Sequence, residues 1–313
     1  MIDISIIVPV YNVEEYIEQC IRSLYEQDIP WSRYEVICVD DCSFDGSCAI
    51  VEQLQIEFPS LKLIHHRENK KLGGARNTGL RAAKGKYVMF VDSDDYLVSN
   101  CMSALLSAAE EKQLDVLMFD YCTSSESGLE LVTLDDIGNE IYSGCDFACK
   151  INRARWYYYI PSVWNKLYCR EFLTKNNLFF IEGLMYEDTD WSFRMLSKVR
   201  NMAYIKCTAY CYRFNVNSIT HVKRTGLILF YSIMQLNRSA HVYYAVQNEE
   251  YRELIRSYII SQIVVLRAKI KECSLIERFR YYNRIRRCSI KSLKEFCNWR
   301  TWFVVRFAIT IFV

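Results

Sequence analysis

The 313-residue chain is 51% hydrophobic and 14% aromatic, enough to bury the core of one large domain, or of one domain with an extension. Its formal net charge of +2 points to neither a nucleic-acid binder nor an acidic solvating chain. With only 10 Gly and 4 Pro, long disordered linkers are not expected.

The first third alternates strand and helix. Ile4–Val10 (ISIIVPV) reads as a continuous apolar strand. Asn12 is placed to cap the next helix, with Glu15 completing a capping box. Val13, Ile17, Cys20, Ile21 and Leu24 share one helical face. Residues 35–39 (EVICV) form a second buried strand that ends at Asp40 and Asp41. The turn CSFDGS leads to an apolar-periodic segment around Ile50, Leu54 and Ile56, and residues 61–64 form a third strand. A short helix closes at residues 79–83, and residues 87–91 give a fourth strand that runs into Asp92, Asp94 and Asp95.

Continuous apolar strands separated by helices imply an α/β fold with a mostly parallel central sheet flanked by helices. Ligands of such sheets lie beyond the carboxyl ends of the strands. Those ends carry Pro9, Tyr11 and Asn12, then Asp40 and Asp41, then the three later aspartates. Polar residues from three strands thus converge on one edge.

Further along, residues 115–120 and 128–133 read as strands, an aromatic-rich run follows (WYYYIPSVWNKLY), residues 190–196 as helix and 203–214 as one or two strands. Helix dominates from about Thr225. Residues 278–306 hold nine Lys or Arg against one acid, Glu295, with interleaved aromatics. That pattern predicts a membrane-surface segment, each basic residue contributing about 1 kcal/mol near anionic lipid. No apolar run reaches the ~20 residues of a membrane span. The N-terminus lacks the pattern of a signal peptide, so the 14 cysteines are expected to be reduced. Their C-x3-C spacings do not match zinc pairs, and they read as small buried hydrophobes.

Four segments carry chemistry. Asp92 and Asp94 form a D-x-D of hard oxygen donors suited to Mg2+ or Mn2+ held against a diphosphate. An EF-hand is excluded, because its sixth and twelfth positions from Asp92 are Leu97 and Ser103. Asp40 or Asp41 is placed to accept from a uracil N–H or a ribose hydroxyl, or to cap the segment after the turn. LGGARNTG, residues 72–79, allows close backbone approach and offers Arg76 to a phosphate, but is neither a dinucleotide fingerprint nor a P-loop. In MYEDTDWSF, Glu187 and Asp188 stand at a helix start beside an aromatic ring, as a general base would, or as helix-start acids favoured by the macrodipole.

Taken together, SIIVPVYN, VDDCSFDGS, GGARNTG, VDSDD, VWNKLYCREFL, FIEGLMYEDTDW and YRFNVNSIT resemble, in order, the motifs of family 2 glycosyltransferases of the bacterial capsular and exopolysaccharide type. The likeness spans about residues 3–221. It implies a GT-A fold over residues 1–221; the helical, basic and aromatic C-terminal extension over 222–313 carries no such signature and is read from its own composition. It also implies an inverting, metal-dependent transferase that moves a sugar from a UDP-sugar donor to a saccharide acceptor; the basic, aromatic C-terminus suggests a polyprenyl-linked one, and the net charge no nucleic-acid partner. The resemblance puts the nucleotide on Pro9, Tyr11, Asp40 and Asp41, and a ribose contact on Asp92. The metal falls to Asp94, with Asp95 as an alternative ligand and His221 reaching either the metal or the phosphate, and the base to Asp188. Arg76 and Lys166 are candidates near the diphosphate or sugar. Cys42 stands where the family usually has Gly. The expected location is the cytoplasm, peripheral at the inner membrane face. The alternatives are a non-catalytic sugar-nucleotide-binding assembly protein and a nucleotidyltransferase, the latter disfavoured because PVYNVEEY is no glycine-rich loop.

Overall fold

The protein is described by a computed structural model covering residues 2–125, 128–151, 156, 159–215 and 226–272. His221 and the basic segment 278–306 lie outside the described residues.

Four strands, β1 (Ile4–Val10), β2 (Tyr34–Asp40), β3 (Leu61–His65) and β4 (Tyr87–Phe90), form a parallel half-sheet in the order β3-β2-β1-β4. The sheet continues β8-β6-β9-β5, from β5 (Tyr96–Leu97), β6 (Val116–Ser125), β8 (Lys166–Cys169) and β9 (Met202–Arg213), with β7 (Gly128–Val132) on the far end of β6. This second half is mixed: β8 is antiparallel to β4 and β6, whereas β9 runs parallel to β6. β1, β2 and β4 are buried along their whole length, which explains their uninterrupted apolar runs. Strand β8 begins within the aromatic segment VWNKLY, where no alternation announces it, and ends just past it at Cys169.

Helices cover the sheet. Helix α1 (Ile17–Tyr25) buries Ile17, Cys20, Ile21 and Leu24, as the periodicity predicts. It starts at Ile17, and no side chain caps it. Asn12 has a left-handed backbone (φ 52°) and accepts from the Phe44 amide at 3.0 Å, so it ties the first loop to the CSFDGS turn. Helix α2 is Ser47–Glu57, and Ile56 on it is exposed.

Helix α3 (Lys71–Ala82) contains all of LGGARNTG. Its glycines serve packing. A Cβ on Gly79 would lie 2.3 Å from Ile7 Cγ2 of β1, and one on Gly73 would lie 2.9 Å from the Ile181 carbonyl. The helix therefore sits flush between the sheet and the loop at residues 180–181. Helices α4 (Met102–Glu111), α5 (Gly144–Lys150), α6 (Arg170–Lys175) and α7 (Glu187–Leu196) follow.

Helices α8 (Gly226–Ala245) and α9 (Glu249–Glu272) pack on each other, and α8 packs on α7. Leu229, Ile233, Leu236 and Ala240 recur at helical spacing on α8, as Tyr251, Ile255, Ile259 and Ile263 do on α9, all in the same hydrophobic cluster as the sheet. Tyr251 donates its hydroxyl to the Phe193 carbonyl at 3.3 Å. Among the described residues, no helix is long and apolar enough to cross a membrane.

Candidate active site

Parallel register brings the carboxyl ends of β1, β2 and β4 to one rim. Val10 pairs with Asp40, the Asp41 amide donates to the Val10 carbonyl at 2.9 Å, and the Val91 amide to the Ile7 carbonyl at 3.0 Å. Pro9 is buried in β1. Tyr11, 46% exposed, meets the Phe44 ring edge-on at 6.2 Å.

Asp40 and Asp41 are both buried, but consecutive positions of extended chain face opposite ways, and their partners differ accordingly. Asp40 accepts from the Ser43 amide at 2.9 Å and from the Cys48 thiol, and stands 3.4 Å from His65 Nδ1. Burial alone would raise its pKa, yet these donors outweigh it and hold the carboxyl below its usual range. Asp41 Oδ1 takes the Lys70 amide and His66 Nδ1, both at 2.7 Å. His66 Nε2 in turn lies 2.8 Å from Thr78 Oγ1 on α3.

Two residues before Thr78 on the same helix, Arg76 joins the acidic motifs. Its guanidinium donates to Asp92 Oδ1 and to Glu187 Oε1, each at 2.7 Å, and lies 5.4 Å from the Phe180 ring centre. The resemblance makes Arg76 a candidate near the diphosphate or sugar; in the structure its guanidinium spans two carboxylates. Asp188 follows Glu187 in the first turn of α7, after Tyr186 in a left-handed conformation (φ 60°). It accepts from Thr189 Oγ1 at 3.3 Å and, among the described residues, makes no ion pair. Desolvation raises its pKa; Arg76 opposes the shift without cancelling it, and Asp92 adds to it.

Asp92, Asp94 and Asp95 divide three ways. Asp92 pairs with Arg76. Asp95, 1% exposed, accepts the Tyr210 hydroxyl at 2.6 Å and the Arg213 amide at 2.8 Å, which fastens the acidic loop to β9. Asp94 accepts from Asn215 Nδ2 at 3.2 Å and makes no ion pair among the described residues. Desolvation, then the Asp92 charge, raises its pKa. An incompletely neutralised carboxylate beside a second one fits a divalent cation bound through oxygen. Asp92 is thus an electrostatic neighbour of both Asp94 and Asp188.

Lys166 is fully buried, and its ammonium donates to the Tyr159 and Ser162 carbonyls and to Asn165 Oδ1. Those acceptors match its three donors, and burial pushes its pKa well down. Sequence reasoning singled out none of His66, Thr78, Tyr210 and Asn215. Thr78 and Asn215 sit inside the quoted motifs GGARNTG and YRFNVNSIT, and His66, one residue past the end of β3, offers a polar ring at the same carboxyl edge.

Comparison with known proteins agrees with this geometry. Residues 5–173, just over half the chain, match the family described as Glycosyl transferase family 2. The Bacillus subtilis (strain 168) glycosyltransferase EpsJ is 34% identical over 220 residues, 70% of this chain and 63% of EpsJ. The chain thus spans a little under two thirds of that relative's length. The putative glycosyltransferase EpsH of the same organism is 32% identical over 82% of this chain and 74% of its own. Among solved structures, Staphylococcus aureus TarS (residues 1–349, in complex with UDP-GlcNAc) superimposes with a TM-score of 0.76 at 21% identity, covering 99% of this chain and 89% of that one. The fold is GT-A. With strand order, motif order and sequence match in agreement, the chain belongs to glycosyl transferase family 2.

Proposed function

We propose that the protein is an inverting transferase that moves a sugar from a UDP-sugar to a saccharide or lipid-linked acceptor in surface polysaccharide synthesis. The observation that carries this reading is the division of labour between Glu187 and Asp188. Glu187 takes the Arg76 guanidinium, which leaves Asp188 at the rim as a partly buried carboxylate with no cationic partner within ion-pair distance among the described residues. Such a group keeps a basic lone pair for an acceptor hydroxyl.

In this reading Pro9, Tyr11 and Asp41 hold the nucleoside, with Asp41 fixed by His66 and the Lys70 amide. Asp40 holds the adjoining turn. Asp92, positioned by Arg76, contacts the ribose. Asp94 holds Mg2+ or Mn2+, with Asp95 bracing the loop from behind. When bound, the cation supplies positive charge to the leaving diphosphate. Asp188 takes the acceptor proton as the hydroxyl displaces the nucleotide, and one displacement inverts the anomeric centre. TarS, a structural neighbour, was solved with UDP-GlcNAc, and a mannosyltransferase from Pyrobaculum calidifontis with GDP-Man and Mn2+ (TM-score 0.53, 17% identity); both support a nucleotide-sugar donor. The acceptor and the membrane contact of residues 278–306 belong to the same proposal.

Purified protein is to be screened against UDP- and GDP-sugars, with and without Mn2+, for thermal stabilisation and nucleotide release. Stabilisation and release by a UDP-sugar, lost with chelator, is the expected result. No response to any nucleotide sugar would overturn the reading.

A further inference from the structure

Behind the nucleotide rim, on the α2 side of the sheet, three metal-ligating side chains of different chemistry meet. Asp40 and His65 are paired residues at the ends of the parallel strands β2 and β3. Cys48 lies in the first turn of α2, the helix that follows β2. The Asp40 carboxylate, the Cys48 thiol and a His65 ring nitrogen all lie within 4.8 Å of one another. Among the described residues, no other group of this kind occurs.

We propose that Asp40, Cys48 and His65 form a binding site for a thiophilic divalent ion of the Zn2+ class, separate from the oxygen-only site at Asp94. Geometry favours coordination over a simple hydrogen bond. His65 Nδ1 and Asp40 Oδ2 stand 3.4 Å apart, long for a hydrogen bond. Two ligands at about 2.0–2.2 Å from a tetrahedral zinc are themselves about 3.4 Å apart. The Cys48 sulfur, within 4.8 Å of both other ligand atoms, occupies the third position. A thiolate and a carboxylate together cancel the ion's double charge, and a neutral imidazole completes the protein set. Three protein ligands leave a fourth position for water, as in an open zinc site. His65 is half exposed, so an entry path exists. Opposing capture, burial and then the Asp40 carboxylate keep the Cys48 thiol protonated at neutral pH. The ion has to displace that proton, so binding strengthens as pH rises.

The consequence is local. Asp40 and Cys48 bracket the CSFDGS turn, which carries Phe44 against Tyr11. An ion bridging them clamps that turn from beneath and stiffens one wall of the nucleotide rim.

The full-length protein, stripped with chelator, is to be titrated with Co2+ and separately with Zn2+. One equivalent of Co2+ is expected to give a thiolate-to-metal absorption band in the near ultraviolet that Cys48→Ser abolishes and His65→Ala weakens. Zn2+ is expected to slow alkylation of Cys48, read by peptide mass spectrometry, in the wild type and not in His65→Ala. Neither residue touches the proposed donor or acceptor, so both variants are expected to keep transferase activity with Mn2+. A band that survives Cys48→Ser, or alkylation unaffected by Zn2+, would overturn the proposal and leave the transferase reading untouched.

Discussion

Arg76 and Glu187 lie 111 residues apart in the chain and 2.7 Å apart in the fold, with both side chains nearly sealed from water. Removing two such charges from solvent is expensive, and the pair holds only because its hydrogen bonds are short and shared. The second arm of the same guanidinium reaches Asp92. Arg76 therefore locks three things together: helix α3, the start of α7 that carries Asp188, and the acidic loop that carries Asp94. Whatever its part in holding the donor, in the fold this arginine is a strut between the two halves of the rim.

Arg76→Ala is expected to strand Glu187 as an unpaired buried carboxylate and to cost about 3–5 kcal/mol of stability. Arg76→Lys retains the charge but not the two-armed geometry, and is expected to fall between that variant and wild type. Urea unfolding of the two variants measures the order. An Arg76→Ala midpoint equal to wild type would show that the pairing contributes nothing net.

As the proposed base, Asp188 sets the expected pH behaviour. Desolvation lifts its pKa above the ordinary aspartate range, and Arg76 only partly pulls it back. A base works unprotonated, so a raised pKa moves the loss of activity on acidification to higher pH. The kcat/KM profile is therefore expected to show an acid limb above the usual carboxylate region. Asp188→Asn is expected to reduce kcat by about 10²–10⁴-fold, the span typical of a lost general base. UDP binding by calorimetry should change little. Wild-type turnover in Asp188→Asn would remove the residue from the chemistry.

Much of this arrangement is legible in the sequence, for a physical reason. Strands β1, β2 and β4 are buried on both faces, so their apolar runs are unbroken and the polar residues at their ends stand out. The acid rim follows from parallel register alone. Pairings between distant segments are not legible. Nothing local in LGGARNTG says that Arg76 will meet Glu187, because the contact depends on where the loop before α7 lands. Nor does a lysine in WNKLY announce that its ammonium will be spent on backbone carbonyls. Asn12 looks like a helix cap because Asn, two residues and Glu make that pattern; the helix begins at Ile17 instead, and Asn12 bonds to the facing turn.

The turn after Asp41 gives a test of backbone strain. Cys42 occupies a left-handed conformation (φ 67°) at the position where the family usually has Gly. That conformation costs a non-glycine residue about 1–2 kcal/mol. Glycine relieves that strain but loses about 0.5–1 kcal/mol in unfolded-state entropy, along with the weak contact from the Cys42 thiol to the His66 carbonyl at 3.3 Å. Relief of strain outweighs these two losses or matches them, so Cys42→Gly is expected to be neutral to about 1 kcal/mol more stable. A clear drop in the urea midpoint would mean that the thiol contact outweighs the backbone.

His66 gives the last test, because its role can be separated from folding. If Nδ1 donates to Asp41, then Nε2 is bare and accepts from the Thr78 hydroxyl, so one neutral tautomer satisfies both contacts. The ring thereby ties the Asp41 carboxylate to helix α3, and the Lys70 amide on the same oxygen fixes its aim from a second direction. His66→Ala removes one donor and leaves the other. A lost hydrogen bond of about 1–1.5 kcal/mol corresponds to roughly tenfold weaker nucleotide binding. KM for the donor is expected to rise by that factor while kcat, assigned in the proposal to Asp188 rather than Asp41, stays close to wild type. His66→Asn, whose amide can donate toward Asp41, is expected to recover part of the affinity. A general packing defect would instead lower kcat and the melting temperature together, and His66→Asn would not repair it. Calorimetry with UDP on the three proteins, beside their melting curves, separates the two outcomes.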